Sequence, residues 1–332
     1  ADFLISFGAG FLETWLSNVE YARQFAAFRT SVPGRKNPFV YVGPRLSLTA
    51  ANADLWVPVA PGDEHLVALA LLKLVVEEQR AISPELKPNP LLEAVAADVS
   101  LDGVFSRTET DQTTLRAVAR QFAQARRPLA LAEGLPFTAP AATSCAVAAN
   151  LLCAAVPGTS QTLDFGHLSA YSRVAPATEI KECVRRMQAG LVDVLLIANA
   201  NPQFALPMSW KFAEALRTVP MVVSFTAVRD DTGELAHLVL PTHTPLESWG
   251  DYEPRGGVTG LLQPVMGPVY DTRHLGDILI ASGCDVKGSQ RFPWQGFHQL
   301  LEQRWRQQVL QVPAEADCRE AWQAALKKGG VW

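Results

Sequence analysis

Phe3-Leu4-Ile5-Ser6-Phe7-Gly8-Ala9-Gly10 is a short apolar run closed by two glycines, and it decides the fold of this chain. Such a run predicts a buried strand followed by a tight turn. Apolar residues then recur at helical spacing over residues 14–28, and a second buried strand, Phe39 to Val42, ends at Gly43-Pro44-Arg45. A strand, a glycine turn, a helix and a second strand are typical of a parallel sheet in an α/β protein.

The same pattern runs through the chain twice. Residues 157–178 are polar and rich in Gly, Ser and Thr, as in a crossover between domains, and the pattern restarts after them with a helix at 179–189 and a strand at 194–198. We therefore expect two doubly wound, Rossmann-like parallel-sheet domains, residues 1–165 and 166–332. Because the chain opens on a strand without a methionine, we also expect it to be a processed product or a central piece of a longer protein.

Composition excludes several classes of function. The 332 residues are 48% hydrophobic and 19% charged, which allows a large core and favours two domains. The net charge is -4, with 29 basic and 33 acidic residues well mixed, so no basic stripe is offered to nucleic acid. The most apolar stretches, 66–76 and 146–156, are too short to cross a bilayer. We expect neither a nucleic-acid partner nor a membrane span.

Cysteine and histidine spacing gives no sign of a metal site. The five cysteines never form a C-x-x-C pair, which argues against an iron-sulfur or zinc site, and their odd number disfavours a full disulfide framework without excluding one bridge. Of the six histidines, only His237 and His243 lie near each other, and no Ser/His/Asp order or paired carboxylate stands out. We expect no metal ligand and no catalytic residue. The cysteines are Cys145, Cys153, Cys183, Cys284 and Cys318.

Several loops lie where an open parallel sheet binds ligands, at the carboxyl ends of its strands, where a helix start offers free N–H groups to a phosphate. A Walker lysine motif is missing, and the first loop lacks the third glycine of a dinucleotide fingerprint, so each loop alone also fits an ordinary turn between strand and helix. These loops are Gly8-Ala9-Gly10 with Thr14, Gly43-Pro44-Arg45 with Thr49, Pro61-Gly62-Asp63-Glu64, and Asn199-Ala200-Asn201-Pro202.

The order of these loops resembles that of the molybdopterin oxidoreductase (dimethyl sulfoxide reductase) family, over essentially the whole chain. Phe3 to Gly8 is similar to the family's strand and "FG-x-N" loop, and Tyr41 to Arg45 with Thr49-Ala50-x-x-Ala53-Asp54 is similar to its "DPR…TA-x-x-AD" element. Pro61 to Glu64 resembles the "PGTD" turn and Ala198 to Pro202 the "G-x-NP" loop. Asp231-Thr232 through Pro241 is similar to "ETA-x-x-ADVVLP", and Glu247 to Gly250 takes the place of "E-x-x-GT".

In that family the loops hold the two guanine dinucleotide arms of a bis-pterin cofactor. The resemblance therefore implies an inter-domain cleft that includes Gly8, Thr14, Arg45, Gly62, Glu64, Asn201, Asp231 and Thr232. Several family carboxylates are altered: Gly43, Glu64 and His237 stand where the family has Asp, and Pro254 falls near a family Asn. Each lost partner of a guanine edge costs roughly 1 to 3 kcal/mol. We expect a vestigial cleft without pterin or molybdenum, and hence no cofactor in this segment.

Residues 246–254, with Gln263-Pro264 and residues 268–273, look most like the large subunit of alternative complex III and related quinone-linked respiratory complexes. This implies a scaffold module of a quinol-oxidising, membrane-associated complex. The implied partners are an iron-sulfur segment or subunit carrying the clusters, a membrane quinone-binding subunit and a multihaem cytochrome c. The implied location is peripheral to the bacterial cytoplasmic membrane, on its periplasmic face.

Two other functions stay open at this point. One is an active reductase or oxidase with a molybdenum bis-pterin guanine dinucleotide. The other is a free-standing dinucleotide dehydrogenase, which the incomplete glycine fingerprint disfavours.

Residues 250–268 are dense in Gly and Pro, so we expect them to lack regular structure. They also carry apolar side chains that are costly to leave in water. We expect another chain or segment to cover them, and the alternative is a loop folded back on its own domain. These side chains are Tyr252, Leu261, Leu262, Val265 and Met266.

Overall fold

The computed structural model describes residues 1–31, 34, 36–83, 85, 89–132, 139–157, 162–164, 166–167, 169–310 and 315–332. The chain separates into two compact units, Ala1–Asp164 and Phe165–Trp332. Each unit combines helices with a parallel sheet, so the chain is α/β.

Unit 1 is built on a four-stranded parallel sheet in the order β3-β2-β1-β4. In the central strand all five residues are buried, and Ile5 is paired with Val40 on one side and Ala130 on the other. A strand buried on both faces needs a continuous apolar run, which is the feature that identified β1 in the sequence. The strands are β1 (Phe3–Phe7), β2 (Phe39–Val42), β3 (Leu55–Val57) and β4 (Pro128–Ala132).

Side chains of β1 alternate between two helical layers. Phe3, Ile5 and Phe7 pack in one core cluster with α3, α6 and α7, whereas Leu4 packs in a second cluster beside α1. The helices are α1 (Asn18–Thr30), α2 (Leu48–Ala51), α3 (Glu64–Ile82), α4 (Pro90–Asp98), α5 (Leu101–Thr108), α6 (Gln112–Gln124) and α7 (Ala139–Ala154).

Unit 2 contains a three-stranded parallel sheet in the order β5-β6-β7. Ile197 of β5 and Val222 of β6 pack with Met187 and Leu216 from the flanking helices. The strands are β5 (Val194–Ala198), β6 (Met221–Thr226) and β7 (Leu238–Pro241), and the helices between residues 177 and 216 are α8 (Ala177–Gln188), α9 (Pro202–Ala205) and α10 (Phe212–Leu216).

A second, antiparallel sheet in unit 2 shows that the expectation of no regular structure was wrong for residues 250–262, whereas residues 263–268 contain no helix or strand. β8 (Gly250–Arg255) and β9 (Val258–Leu262) form a hairpin, and β10 (Gly330–Val331) pairs with β9. The turn is Gly256-Gly257, with φ of +81° at Gly257, a conformation that glycine adopts without strain. Pro254 lies in a bulge between Tyr252 and Arg255, where no ladder hydrogen bond is required of it.

The last helices of unit 2 pack around Trp305, which is fully buried together with Leu301 and Trp322. None of the helices in the described residues is long and apolar enough to cross a membrane. These helices are α11 (Leu275–Lys287), α12 (Phe297–Arg304), a π-helical turn (Trp305–Val309) and α13 (Glu315–Lys328).

Candidate functional site

The carboxyl ends of β1, β2 and β3 lie side by side in unit 1. Gly8 N donates to Val42 O over 2.8 Å, and Gly43 N donates to Val57 O over 3.1 Å, so the loops that follow the three strands meet at one edge. Gly8 has a φ of +70°, which explains a glycine at the end of β1. This edge is the candidate site of unit 1, because open parallel sheets bind ligands there.

Glu13 ties the first loop to the start of α2. Its Oε2 accepts the Thr49 backbone N–H over 3.1 Å and the Thr49 hydroxyl, and that hydroxyl accepts the N–H of Leu12 over 3.1 Å. The carbonyl of Gly10 accepts the N–H groups of Glu13 and Thr14, over 3.1 and 2.8 Å, and also the Thr14 hydroxyl. The backbone N–H groups of Leu12, Glu13, Thr14 and Thr49 are thus already bonded to acceptors of the chain itself.

Tyr41 fills the space beside Gly43. A Cβ atom at position 43 would lie 2.9 Å from Cε1 of the Tyr41 ring, closer than real Cβ atoms come, and Tyr41 itself is only 3% exposed. Burial raises the pKa of the Tyr41 hydroxyl, and the charges of Glu13 and Glu64 raise it further, although a hydrogen bond with Ser47 acts in the opposite direction. At the position where the resemblance expects an aspartate, the structure therefore holds an aromatic ring.

Glu64 is the first residue of α3, and only one of its two carboxylate oxygens accepts a hydrogen bond among the described residues. Its Oε2 accepts the N–H of Gly62 over 2.8 Å, and Gly62 has a φ of +93°. The side chain is buried, and no hydrogen-bond partner is found for Oε1 among the described residues. Burial raises the pKa of the nearby Cys145 thiol to about 12, with an added contribution from the charge of Glu64. A buried, unpaired carboxylate oxygen is suited to an N–H or O–H donor.

The site residues that the sequence predicts in unit 1 differ in position and exposure. Gly8 and Gly62 lie in loops of the carboxyl edge and Glu64 is the first residue of α3, whereas Thr14 and Arg45 have exposed side chains. Sequence reasoning missed Glu13 and Tyr41. No local signal distinguishes an acidic loop residue that reaches Thr49, 36 residues along the chain, from any other exposed glutamate.

In unit 2, Asn201, Asp231 and Thr232 come together from the loops after β5 and β6. Asn201 Nδ2 donates to Asp231 Oδ2 over 3.0 Å, and Asn201 Oδ1 accepts the Thr232 hydroxyl over 2.8 Å. Asn201 also caps α9 by accepting the N–H of Phe204, and Thr232 accepts the N–H of Gln203 over 3.0 Å. The network is satisfied internally and holds the two loops together.

His237 is on the other edge of its sheet. It precedes β7, and its Nδ1 accepts the N–H of Val222, the second residue of β6, over 3.1 Å. The strands of a parallel sheet begin at a common edge, so His237 lies at the amino end, away from Asn201 and Asp231. An aspartate placed there would not join the carboxyl-edge loops.

Two acidic residues of the stretch 246–254 have structural partners. Glu247 accepts the N–H groups of Thr244 and Val269, both over 2.9 Å, and these bonds lower the pKa of its carboxyl. Asp251 accepts the indole N–H of Trp305 over 3.0 Å and a guanidinium N–H of Arg304 over 3.2 Å. Both side chains join segments within unit 2.

Metal-ligating residues do not converge within the described part of the chain, where no three of His, Cys, Asp and Glu form a metal-holding group. Cys145 and Cys153 are buried, Cys183 is exposed and Cys284 is partly exposed. The Cys318 side chain lies outside the described residues.

The residues of the unit 1 edge do not fit a pterin guanine dinucleotide as they stand. The Tyr41 ring takes the place of a side chain at Gly43, and the Glu13 carboxylate lies where a phosphate would compete for N–H groups. Two atoms do fit a ligand with N–H or O–H donors, namely Oε1 of Glu64 and Oε1 of Glu13, which are buried and have no hydrogen-bond partner among the described residues.

Comparisons with known proteins point in one direction. The chain is 31% identical over 303 residues to the menaquinone reductase molybdopterin-binding-like subunit of Nitratidesulfovibrio vulgaris, covering 85% of this chain and 43% of the relative. It is 23% identical over 228 residues to the probable oxidoreductase YyaE of Bacillus subtilis, covering 62% of this chain and 34% of that protein. The chain thus spans less than half the length of these curated relatives.

The fold is similar to that of acetylene hydratase from Pelobacter acetylenicus, with a TM-score of 0.59 and 16% identity over 89% of this chain and 48% of that one. No protein-family model matches the chain. The chain is thus similar in sequence to a subunit described as molybdopterin-binding-like and similar in fold to acetylene hydratase.

Proposed function

We propose that this chain is a scaffold module of a quinone-linked respiratory oxidoreductase and that it has no molybdenum site of its own. The similarity to a menaquinone reductase subunit supports the quinone-linked part. The relative's own description as molybdopterin-binding-like is consistent with a retained fold and an altered site.

The observation that carries the scaffold reading is the Tyr41 ring beside Gly43. A dinucleotide-binding edge needs open space and free donors at the strand ends. Here the ring is 3% exposed and leaves no room for a Cβ atom at position 43, and Glu13 occupies the N–H of Thr49. Both features reduce the space and the free N–H donors that a dinucleotide would use at this edge.

Within this proposal the complex oxidises quinol in the manner of alternative complex III. Electrons pass through iron-sulfur clusters on another segment or subunit and a multihaem cytochrome c, beside a membrane quinone-binding subunit. The chain then lies peripheral to the bacterial cytoplasmic membrane, on the periplasmic face. The stretch 246–254 and its resemblance to that complex support these assignments.

The second candidate is part of an active molybdenum bis-pterin guanine dinucleotide enzyme, and Glu64 favours it. Leaving a buried carboxylate oxygen unpaired costs roughly 1 to 3 kcal/mol or more, and the donors of a guanine edge would satisfy it. In this alternative Glu64 holds the base, and Gly8 and Gly62 admit the backbone close to the dinucleotide.

Metal and nucleotide analysis of the native assembly separates the two candidates. The complex is purified through a tag on this chain, digested for molybdenum and tungsten, and extracted with acid to release guanine nucleotide. A catalytically active molybdoenzyme prepared in the same way is the positive control. The scaffold proposal expects both quantities well below one per chain, and stoichiometric metal with guanine nucleotide would overturn it.

A further inference from the structure

Helix α1 packs only loosely on the sheet of unit 1. Its aromatic residues Tyr21, Phe25 and Phe28 are spaced to lie on one helical face, and they pack against the cluster of Leu4 and Phe11. Nevertheless, no residue of α1 is buried. Aromatic rings on the inner face of a helix normally carry the burial of that helix, so space is left between α1 and the sheet.

That space is a cavity of about 320 Å³ within unit 1. Leu4 and Phe11 contribute fully packed side chains to its lining, while Trp15, Phe25 and Phe28 line it with partly exposed rings. Leu131 of β4 lines the cavity from the side of the sheet. The helix α7, which follows β4 in the chain, packs in the core cluster on the opposite face.

The walls are rings in edge-to-face and tilted contact. The Phe11 centroid lies 6.4 Å from that of Trp15 and 5.6 Å from that of Phe25, and the Phe25 and Phe28 centroids are 6.0 Å apart. Polar positions of the lining are Ala1, Tyr21, the exposed amide of Gln24 and Thr162, whose hydroxyl donates to Pro128 O over 3.3 Å. A pocket of this size with a mainly apolar lining and several polar groups is the usual form of a small-molecule site.

We propose that this cavity, the α1 pocket, binds a planar aromatic molecule of one or two fused rings with a polar substituent that reaches Gln24. A flat ring can present its edge or face to the surrounding rings, and offset-stacked and edge-to-face pairs of rings are stabilising beyond the area that they bury. It also covers ring surface that α1 leaves in water. The inference stands on this geometry and does not depend on the proposed function.

Two probes test the recognition of ring shape by the 332-residue chain. One is 2,3-dimethyl-1,4-naphthoquinone, whose blocked ring positions prevent addition of the exposed Cys183 thiol. The other is 2-naphthol, which has the same ring size and no quinone chemistry. Binding is measured by calorimetry and by quenching of Trp15, with Trp15→Phe to assign the fluorescence signal.

Gln24→Trp places an indole at the pocket mouth, on an exposed helical position where folding tolerates it. Ala26→Trp is the matched control, because Ala26 is also exposed on α1 and does not line the pocket. We expect saturable binding of both probes, a loss of at least about tenfold in Gln24→Trp, and no change in Ala26→Trp.

Three results would overturn the proposal. They are no saturable binding of either probe, binding that Gln24→Trp leaves unchanged, and binding of the quinone alone, which would show recognition of carbonyls instead of ring shape. Without saturable binding of either probe, the pocket would instead suit an apolar side chain of another polypeptide. None of these outcomes bears on the molybdenum content of the native assembly, so the two proposals fail separately.

Discussion

Gly43→Asp tests whether Tyr41 closes the unit 1 edge. Its new Cβ atom would lie 2.9 Å from Cε1 and 3.4 Å from the hydroxyl of Tyr41, so the buried ring or the end of β2 must move. Overpacking of a core costs about 1 to 3 kcal/mol. For a folding unit of this length, each kcal/mol lowers the melting temperature by roughly 2 to 4 °C. We expect a fall of about 2 to 12 °C and no gain in guanine nucleotide binding.

The assay is thermal unfolding by circular dichroism, with calorimetric titration of guanosine monophosphate. Gly43→Ala introduces the Cβ atom without the carboxylate and should show most of the fall. Gly267→Asp is the matched control, since nothing lies within 4 Å of a Cβ atom there. Adding Tyr41→Leu to Gly43→Asp shortens the opposing side chain and opens the edge. Melting temperatures at position 43 that match Gly267→Asp would refute the reasoning, as would nucleotide binding by Gly43→Asp alone.

Three further changes probe the carboxylates. Hydrogen bonds from the N–H groups of Thr244 and, next in size, Val269 lower the pKa of the Glu247 carboxyl. The ionised carboxylate therefore stabilises the fold fully above about pH 4.5, and this stabilisation is lost as the pH falls through the lowered pKa of the folded protein. Glu247→Gln should flatten the acid limb of denaturant unfolding and leave a smaller pH dependence between pH 7 and 3; an unaltered limb contradicts this. Asp251→Ala strands the Trp305 indole N–H and should cost about 1 to 3 kcal/mol in urea unfolding, and a loss below about 0.5 kcal/mol would argue against that contact. The double variant Glu13→Gln with Glu64→Gln removes the two negative charges that lie beside the N–H groups of Thr49 and Gly62. The affinity for pyrophosphate, measured by calorimetry, should rise at least about tenfold. An unchanged affinity would be the contrary result.

Strands and loops were predictable where one local signal decided them. β1 and β2 are short apolar runs closed by glycine, and both are found where the sequence predicts them. α4 was not predicted, although its start carries two recognisable signals, Pro90 in the first turn and an Asn89 side chain that accepts the N–H of Leu91. These capping signals are read only when a helix is already suspected.

The hairpin of unit 2 shows how composition misleads. Glycine and proline in residues 250–268 were taken to exclude regular structure, yet those at residues 250–260 lie within the hairpin. Gly256-Gly257 makes a two-residue turn, and Pro254 lies in a bulge. Of the side chains predicted to need cover, Leu261 packs in the Trp305 cluster of its own unit, whereas Tyr252 is 63% and Val265 75% exposed.

The candidate site was predicted as a set of loops but not as a set of contacts. The resemblance identified Gly43 and His237 by the same reasoning, as positions that had lost an aspartate. The structure separates them, because Gly43 ends β2 at a carboxyl edge and His237 precedes β7 at an amino edge. Which edge a residue reaches follows from strand direction, and that requires strand boundaries accurate to one or two residues.

A helix start attracts negative charge whether the charge comes from a ligand or from the chain. In unit 1 Glu13 accepts the Thr49 N–H and Glu64 accepts the Gly62 N–H, so the edge carries its own anions. A bound dinucleotide would have to displace these two carboxylates or bind against their electrostatic repulsion. Its phosphates would therefore add little to the stability of the folded edge. The Oε1 atoms of Glu64 and Glu13, which have no partner among the described residues, are the remaining features that donors of a ligand would satisfy. The balance at this edge therefore turns on these two buried oxygen atoms against the Tyr41 ring and the N–H groups that the Oε2 atoms already occupy.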